Sequence, residues 1–204
     1  MQFDFGQNWV NFSKRALTKQ KINDAHKDFL NLFSGIDLRN KQMLDIGFGQ
    51  GISLLLAHEA GASVYGNDIN PKCRDALKQS AEVMGIAADI PIIVGSILDN
   101  STIEMLRTSV PDGKFDIVHS WGVLHHTGDM HRAITNATSL VKPGGYFICA
   151  IYNRHFTSKP WLFIKWLYCK APSIIKLLMI AAMYPVIFTA KFAVTLRNPF
   201  NQMR

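Results

Sequence analysis

The sequence predicts an α/β fold: a doubly wound, Rossmann-like parallel sheet with helices on both faces, followed by a helical C-terminal extension. Two observations predict it. Short apolar runs alternate with helical patterns of roughly 10–15 residues, which is the signature of βαβ units. Three glycines also stand at alternate positions in LDIGFGQG, directly after the first apolar run. A third observation marks where the pattern stops, because the alternation disappears from Thr157 onward.

The elements follow in order. A helix is expected from about Thr18 to Phe33, then a strand over QMLDIGF and a helix over GISLLLAHEAG closed by Gly61. ASVYGNDI reads as the second strand. Pro71 suits the first turn of the next helix, which runs to Met84 before Gly85. PIIVGSI is the third strand, with a helix near Ser101 to Ser109, and KFDIVHSW is the fourth. Asp129 has the chemistry of an N-cap for a helix reaching Leu140, and PGG turns the chain into the strand YFICAIYN. Such a sheet binds its ligand at the switch point, beyond the C-terminal ends of the strands.

Charge separates the chain into two parts. Residues 1–129 carry 12 Lys/Arg and all 15 acids, a net of −3, whereas residues 130–204 carry 10 Lys/Arg and no acid, a net of +10. The 204 residues suit one domain over 1–153 and a basic, apolar helical tail over 154–204. Within that tail, LLMIAAMYPVIFTA (Leu177 to Ala190) has no charge, but its 14 residues fall short of the ~18–20 that span a bilayer. Breaks are expected at Pro160, Pro172 and Pro185, and a buried or interface-lying helix pair is expected over a transmembrane span. Cys73, Cys149 and Cys169 have no metal-ligand spacing, so they read as reduced, buried thiols and no metal is expected. MQFDFGQNWV lacks a basic-then-apolar leader pattern, which predicts a cytoplasmic chain with at most peripheral membrane contact.

The glycine turn decides the ligand class by its spacing. A dinucleotide fingerprint needs a third glycine where Ile52 stands, and a phosphate loop needs a Gly-Lys-Ser/Thr that does not follow. The pattern is instead G-x-G-x-G at Gly47, Gly49 and Gly51, which lets backbone touch a ligand without a bulky pyrophosphate. A tight structural βα turn is the bland alternative. Asp68 ends the second strand, 21 residues after Gly47, where a carboxylate can accept both hydroxyls of a ribose. Helix capping ahead of Pro71 is its structural alternative.

Taken in order, LDIGFGQG, VYGNDIN, IIVGSILD, FDIVHSWGVLHHTGD and VKPGGYF resemble the class I S-adenosylmethionine-dependent methyltransferases. GVLHHT and VKPGG look most like the small-molecule branch that includes quinone methyltransferases, and the resemblance covers about Phe3 to Asn153. It implies S-adenosyl-L-methionine as the cofactor and a small-molecule acceptor. Asp45 with Gly47, Gly49 and Gly51 would line the methionine part, Asp68 would bind the ribose and Ile69 would pack on adenine. After the third strand, Ser96 stands where the family often has an acid on the adenine amino group, with Ile97 beside it and Asp99 a weaker candidate. Ser120 and Trp121 would face the reactive methyl, and FGQNW (Phe5 to Trp9) would fold over the cofactor or anchor the N-terminus.

Methyl transfer from a sulfonium needs alignment and exclusion of water, and a base only when the nucleophile carries a proton. His125 and His126 follow the fourth strand where an acceptor would sit, so they are the candidate catalytic residues, His125 first. An imidazole packed in a loop is the alternative for each, and His119, inside the strand, reads as a core histidine. The family usually adds a reversed strand hairpin after the fifth strand, and none is legible after Asn153. The tail's cations and aromatics suggest an amphiphilic or anionic acceptor. They also motivate the competing reading of a non-catalytic nucleoside-binding module on an anionic membrane. Nucleic acid is not the expected partner, and the acceptor atom and oligomeric state stay open.

Overall fold

A computed structural model of the chain describes residues 17–153 and 158–195. Its contacts divide the protein into two units, Met1–Tyr152 and Asn153–Arg204. The first unit is α1 (Lys19–Leu32), β1 (Gln42–Ile46), α2 (Ile52–Glu59), β2 (Ser63–Asp68), α3 (Cys73–Met84), β3 (Ile92–Val94), α4 (Asn100–Thr108), β4 (Phe115–Trp121), α5 (Met130–Ser139) and β5 (Val141–Ala150). A single 3₁₀ turn, Leu124–His126, lies between β4 and α5. The five strands form one parallel sheet in the order β3-β2-β1-β4-β5. The chain winds outward from β1 in one direction and then from β4 in the other, so the expected doubly wound α/β fold is present.

The alternation of side chains along β1 and β4 builds two cores. Met43 and Ile117 join Phe29 of α1, Phe33 at its C-cap, Leu54 of α2 and Leu77 of α3 on one face. Leu44 and Val118, their chain neighbours, join Ile103 and Leu106 of α4 and Ala133 and Ala137 of α5 on the other. A strand with apolar residues on both faces must be covered on both, which is why these runs read as continuous rather than alternating. Small Ala133 and Ala137, four residues apart and wholly buried, let α5 approach the sheet closely.

Local signals set the helix ends. The Thr18 hydroxyl accepts from Lys21 N at 3.4 Å and the Asp129 carboxylate from Arg132 N at 3.1 Å. Gly85 closes α3 at φ 72°, a conformation that suits a residue without Cβ. Strand β5 starts at Val141, so the PGG segment lies within the strand rather than before it.

The second unit holds α6 (Ser158–Lys170) and α7 (Ser173–Thr195), joined at Ala171–Pro172. Only Pro172 separates helices. Pro160 falls in the first turn of α6, where its missing N–H costs nothing, and α7 runs straight through Pro185. A proline forfeits one bond of the helical ladder, and α7 continues past it all the same. Near it the Thr189 hydroxyl donates to the Pro185 and Val186 carbonyls at 2.9 and 3.1 Å. The cysteine expectation also needs correction, because only Cys73 is buried. Cys149 is on strand β5, at the sheet edge, and Cys169 is on an exposed helix.

Candidate active site

The alternating glycines form the turn from β1 into α2, and all three adopt left-handed backbone: φ is 73° at Gly47, 58° at Gly49 and 78° at Gly51. The turn is stitched by Gly47 N donating to Asn67 O at 2.6 Å and Gly51 N to Phe48 O at 2.9 Å. Space reinforces conformation at the outer two. A Cβ on Gly47 would stand 2.5 Å from the Val123 methyls, and one on Gly51 would run into Leu77. Gly49 sits between them with its N–H aimed at Asp68 Oδ2, 3.2 Å away. The side-chain oxygen of Gln50 is buried without a hydrogen-bond partner among the described residues.

Asp68 ends β2. Its second oxygen accepts from Asn70 N at 2.9 Å, so the carboxylate ties the glycine turn to the start of the next loop. Ionised carboxylates offer about four acceptor sites, so these two backbone donors leave room for a diol. Ile69 follows with half of its surface exposed, a flat apolar neighbour at the mouth of the turn. Next to it, buried Asn67 donates from Nδ2 to the carbonyls of Ile93 and Gly95, both at 3.0 Å, which fixes the loop after β3. In that loop the Ser96 hydroxyl accepts from Leu98 N at 3.2 Å, and Asp99 is exposed at the N-cap of α4. The side chain of Ile97 is buried among Ile103 and Leu106.

At the other side of the switch point, Asp45 and His119 face each other across β1 and β4, with Nδ1 2.9 Å from Oδ1 and both side chains buried. Burial, the largest influence, opposes charge on His119, but the field and hydrogen bond of Asp45 outweigh it and hold its pKa above the ordinary 6.5. Asp45 therefore lies inside the sheet, beneath the glycine turn. Ser120 is fully buried and its hydroxyl donates to Ile46 O at 3.0 Å. Its side chain is thereby turned into the β1–β4 seam. Trp121 does reach the surface, and its ring stacks on His119 with centroids 6.1 Å apart and 15° between planes.

His125 and His126 lie in the 3₁₀ turn after β4, with ring centroids 4.0 Å apart. Both ring nitrogens of His125 are closed to solvent and have no hydrogen-bond partner among the described residues. Burial, then the neighbouring His126, push its pKa down, which favours neutral imidazole at pH 7. Tyr152, just past β5, approaches the His125 ring at 4.9 Å and hangs over Gly122.

The described candidates thus lie towards the C-terminal ends of the strands. The glycines, Asp68, Ile69, Trp121, His125 and His126 come together there, whereas Ile97 and Ser120 turn inward. Tyr152, Val123 and Asn67 were not legible as neighbours of these candidates, because nothing in local spacing marks a residue that matters through a neighbouring strand. FGQNW lies outside the described residues.

Comparison with known proteins gives a consistent answer. The profile of a family described as a methyltransferase domain matches residues 18–180, most of the chain. Among relatives, a ubiquinone biosynthesis O-methyltransferase from Coxiella burnetii is 28% identical over 153 residues, 75% of this chain and 60% of that one. Its counterpart from Cereibacter sphaeroides is 31% identical over 139 residues, 68% of this chain and 51% of that one. The chain therefore spans about half to three fifths of the length of these relatives. Among solved structures, magnesium protoporphyrin IX methyltransferase from Synechocystis PCC 6803, with bound SAH, superimposes with a TM-score of 0.51 at 20% identity, covering 82% of this chain and 68% of that one. An O-methyltransferase family protein from Burkholderia thailandensis gives 0.52 at 20% identity, covering 78% and 43%. At that identity the structures share the fold.

Proposed function

This chain belongs to the methyltransferase-domain family, and from that membership we propose that it transfers a methyl group from S-adenosyl-L-methionine to a small, amphiphilic acceptor. The observation that carries the reading is the Gly49 N–H···Asp68 link, which puts a carboxylate with spare acceptor capacity beside a left-handed glycine turn. That donor and acceptor set fits a nucleoside with a short charged tail. Asp68 would take the ribose hydroxyls, Ile69 the adenine face, the Ser96 hydroxyl its amino edge, and Gly47, Gly49 and Gly51 the methionine part, with Asp45 behind them.

When bound, the sulfonium supplies an activated methyl group and an excellent leaving group. The protein's own part is alignment and dryness. Trp121, exposed at the end of β4, offers an aromatic wall beside the turn. The names of the relatives favour an oxygen acceptor, and a hydroxyl must lose its proton as it is methylated. His125 is the candidate to take it, because its lowered pKa keeps the imidazole neutral and its nitrogens, once uncovered, have no other partner among the described residues. His126, exposed beside it, is suited to orient the acceptor.

The domain over 1–153 would carry this chemistry, with α1 as its N-terminal helical cover. The tail over 154–204 is an appendage whose eight Lys/Arg and no acid draw it to an anionic membrane surface. Calorimetry with S-adenosylhomocysteine and, separately, NAD tests the central reading. Binding of the former at about micromolar affinity, with none of NAD, is expected. The opposite preference would overturn the assignment.

A further inference from the structure

Helix α7 runs 23 residues, and its window Ser173–Ala190 has a mean hydropathy of 1.9 with none of it buried. Its large side chains cover all sides: Ile174, Leu177, Leu178, Ile180, Val186 and Ile187 are each about half exposed or more. A helix apolar all round belongs in a large core or in lipid, and its own unit offers this one no core among the described residues. At about 1.5 Å per residue α7 is long enough for a hydrocarbon layer of ~30 Å.

Helix α6 has a different character. It interleaves exposed Trp161, Phe163, Trp166 and Tyr168 with Lys165 and Lys170. Lys170 Nζ lies 4.7 Å over the Trp166 ring, and Lys176 Nζ, near the start of α7, lies 5.7 Å over Tyr168. Amphipathic aromatics with lysines suit the headgroup level of a bilayer, where a lysine stem can lie along apolar surface with its charge in water. The absence of any acid after Asp129 gives the occupant its sign. A second copy of the tail would bring the same uncompensated cations, and nucleic acid would leave the apolar window in water.

We propose that α7 inserts into the hydrocarbon of an anionic bilayer while α6 rests among its headgroups. This deepens, and rests on, the surface contact proposed above, and it is independent of methyl transfer. Charge brings the tail to the membrane, and insertion then holds it when charge is screened.

Flotation of the whole protein with vesicles tests this, because aggregates do not float. Phosphatidylcholine vesicles with and without phosphatidylglycerol are compared at low salt, then washed at about 1 M salt, where the Debye length falls to ~3 Å. The intact protein should float with the anionic vesicles, weakly or not at all with the neutral ones, and stay bound through the wash. Ile180→Arg, at an exposed mid-helix position, should lower salt-resistant retention roughly a hundredfold, as an arginine at a helix centre in lipid does. Complete release of the intact protein by salt, or retention of Ile180→Arg equal to it, overturns insertion and leaves surface contact standing. No flotation with anionic vesicles at low salt overturns both. Equal flotation with neutral vesicles overturns the charge-guided part.

Discussion

The Nδ1 atom of His119 lies 2.9 Å from Oδ1 of Asp45, inside the sheet and directly across the β1–β4 seam. Strand order reverses at this seam, and both the glycine turn and Trp121 emerge from it. A buried pair of this kind costs desolvation to form, and removing one partner leaves the other charge stranded.

His119→Leu should therefore lower unfolding free energy by about 3 kcal/mol, read by chemical denaturation. The pair also sets a pH dependence. His119 titrates above its unfolded value of about 6.5, so its contribution is complete below that value and is lost as pH rises through the folded one. Stability of the wild type should fall on going from pH 6 to pH 9 by more than that of His119→Leu. Parallel profiles would show that the pair does not carry this pH dependence.

His125 is held neutral by burial and by His126, with its pKa below 6.5. Methylation of a hydroxyl acceptor should then rise from acid pH and level off before neutrality. His125→Gln should lose roughly 10²-fold or more in rate and with it the acidic limb. His126→Gln should keep that limb. An unchanged pH profile in His125→Gln removes it as the base.

The glycines should separate binding from folding. Gly49→Val forces a β-branched residue to φ 58° at the centre of the turn. Loss of S-adenosylhomocysteine binding with a near-native circular dichroism spectrum is expected. Gly51→Ala meets Leu77 as well as the conformational penalty, so it should cost stability, about 1–2 kcal/mol from backbone alone. An unfolded Gly49→Val protein would make the turn structural only.

Much of the sheet was legible because β1 and β4 are buried on both faces and their helices carry their own caps, such as Thr18, Gly85 and Asp129. The glycines and Asp68 were legible because their spacing follows from the βαβ turn itself. Side-chain direction was not. Ser120 and Trp121 are neighbours on one strand, and the period of two sends one into the β1 seam and the other to the surface. The Ile97 side chain is directed inward for a related reason, since the loop after β3 turns back into the core held by α4. In the tail, proline propensity overstated the break at Pro185, through which the helix continues.

The central claim is that Asp68 and the glycine turn form the nucleoside site. Titration calorimetry of S-adenosylhomocysteine into wild type and Asp68→Ala, side by side, tests it most directly. The account predicts at least a tenfold weaker Kd in the variant, about the worth of lost charge-assisted hydrogen bonds. Equal affinity in a folded Asp68→Ala protein would contradict it.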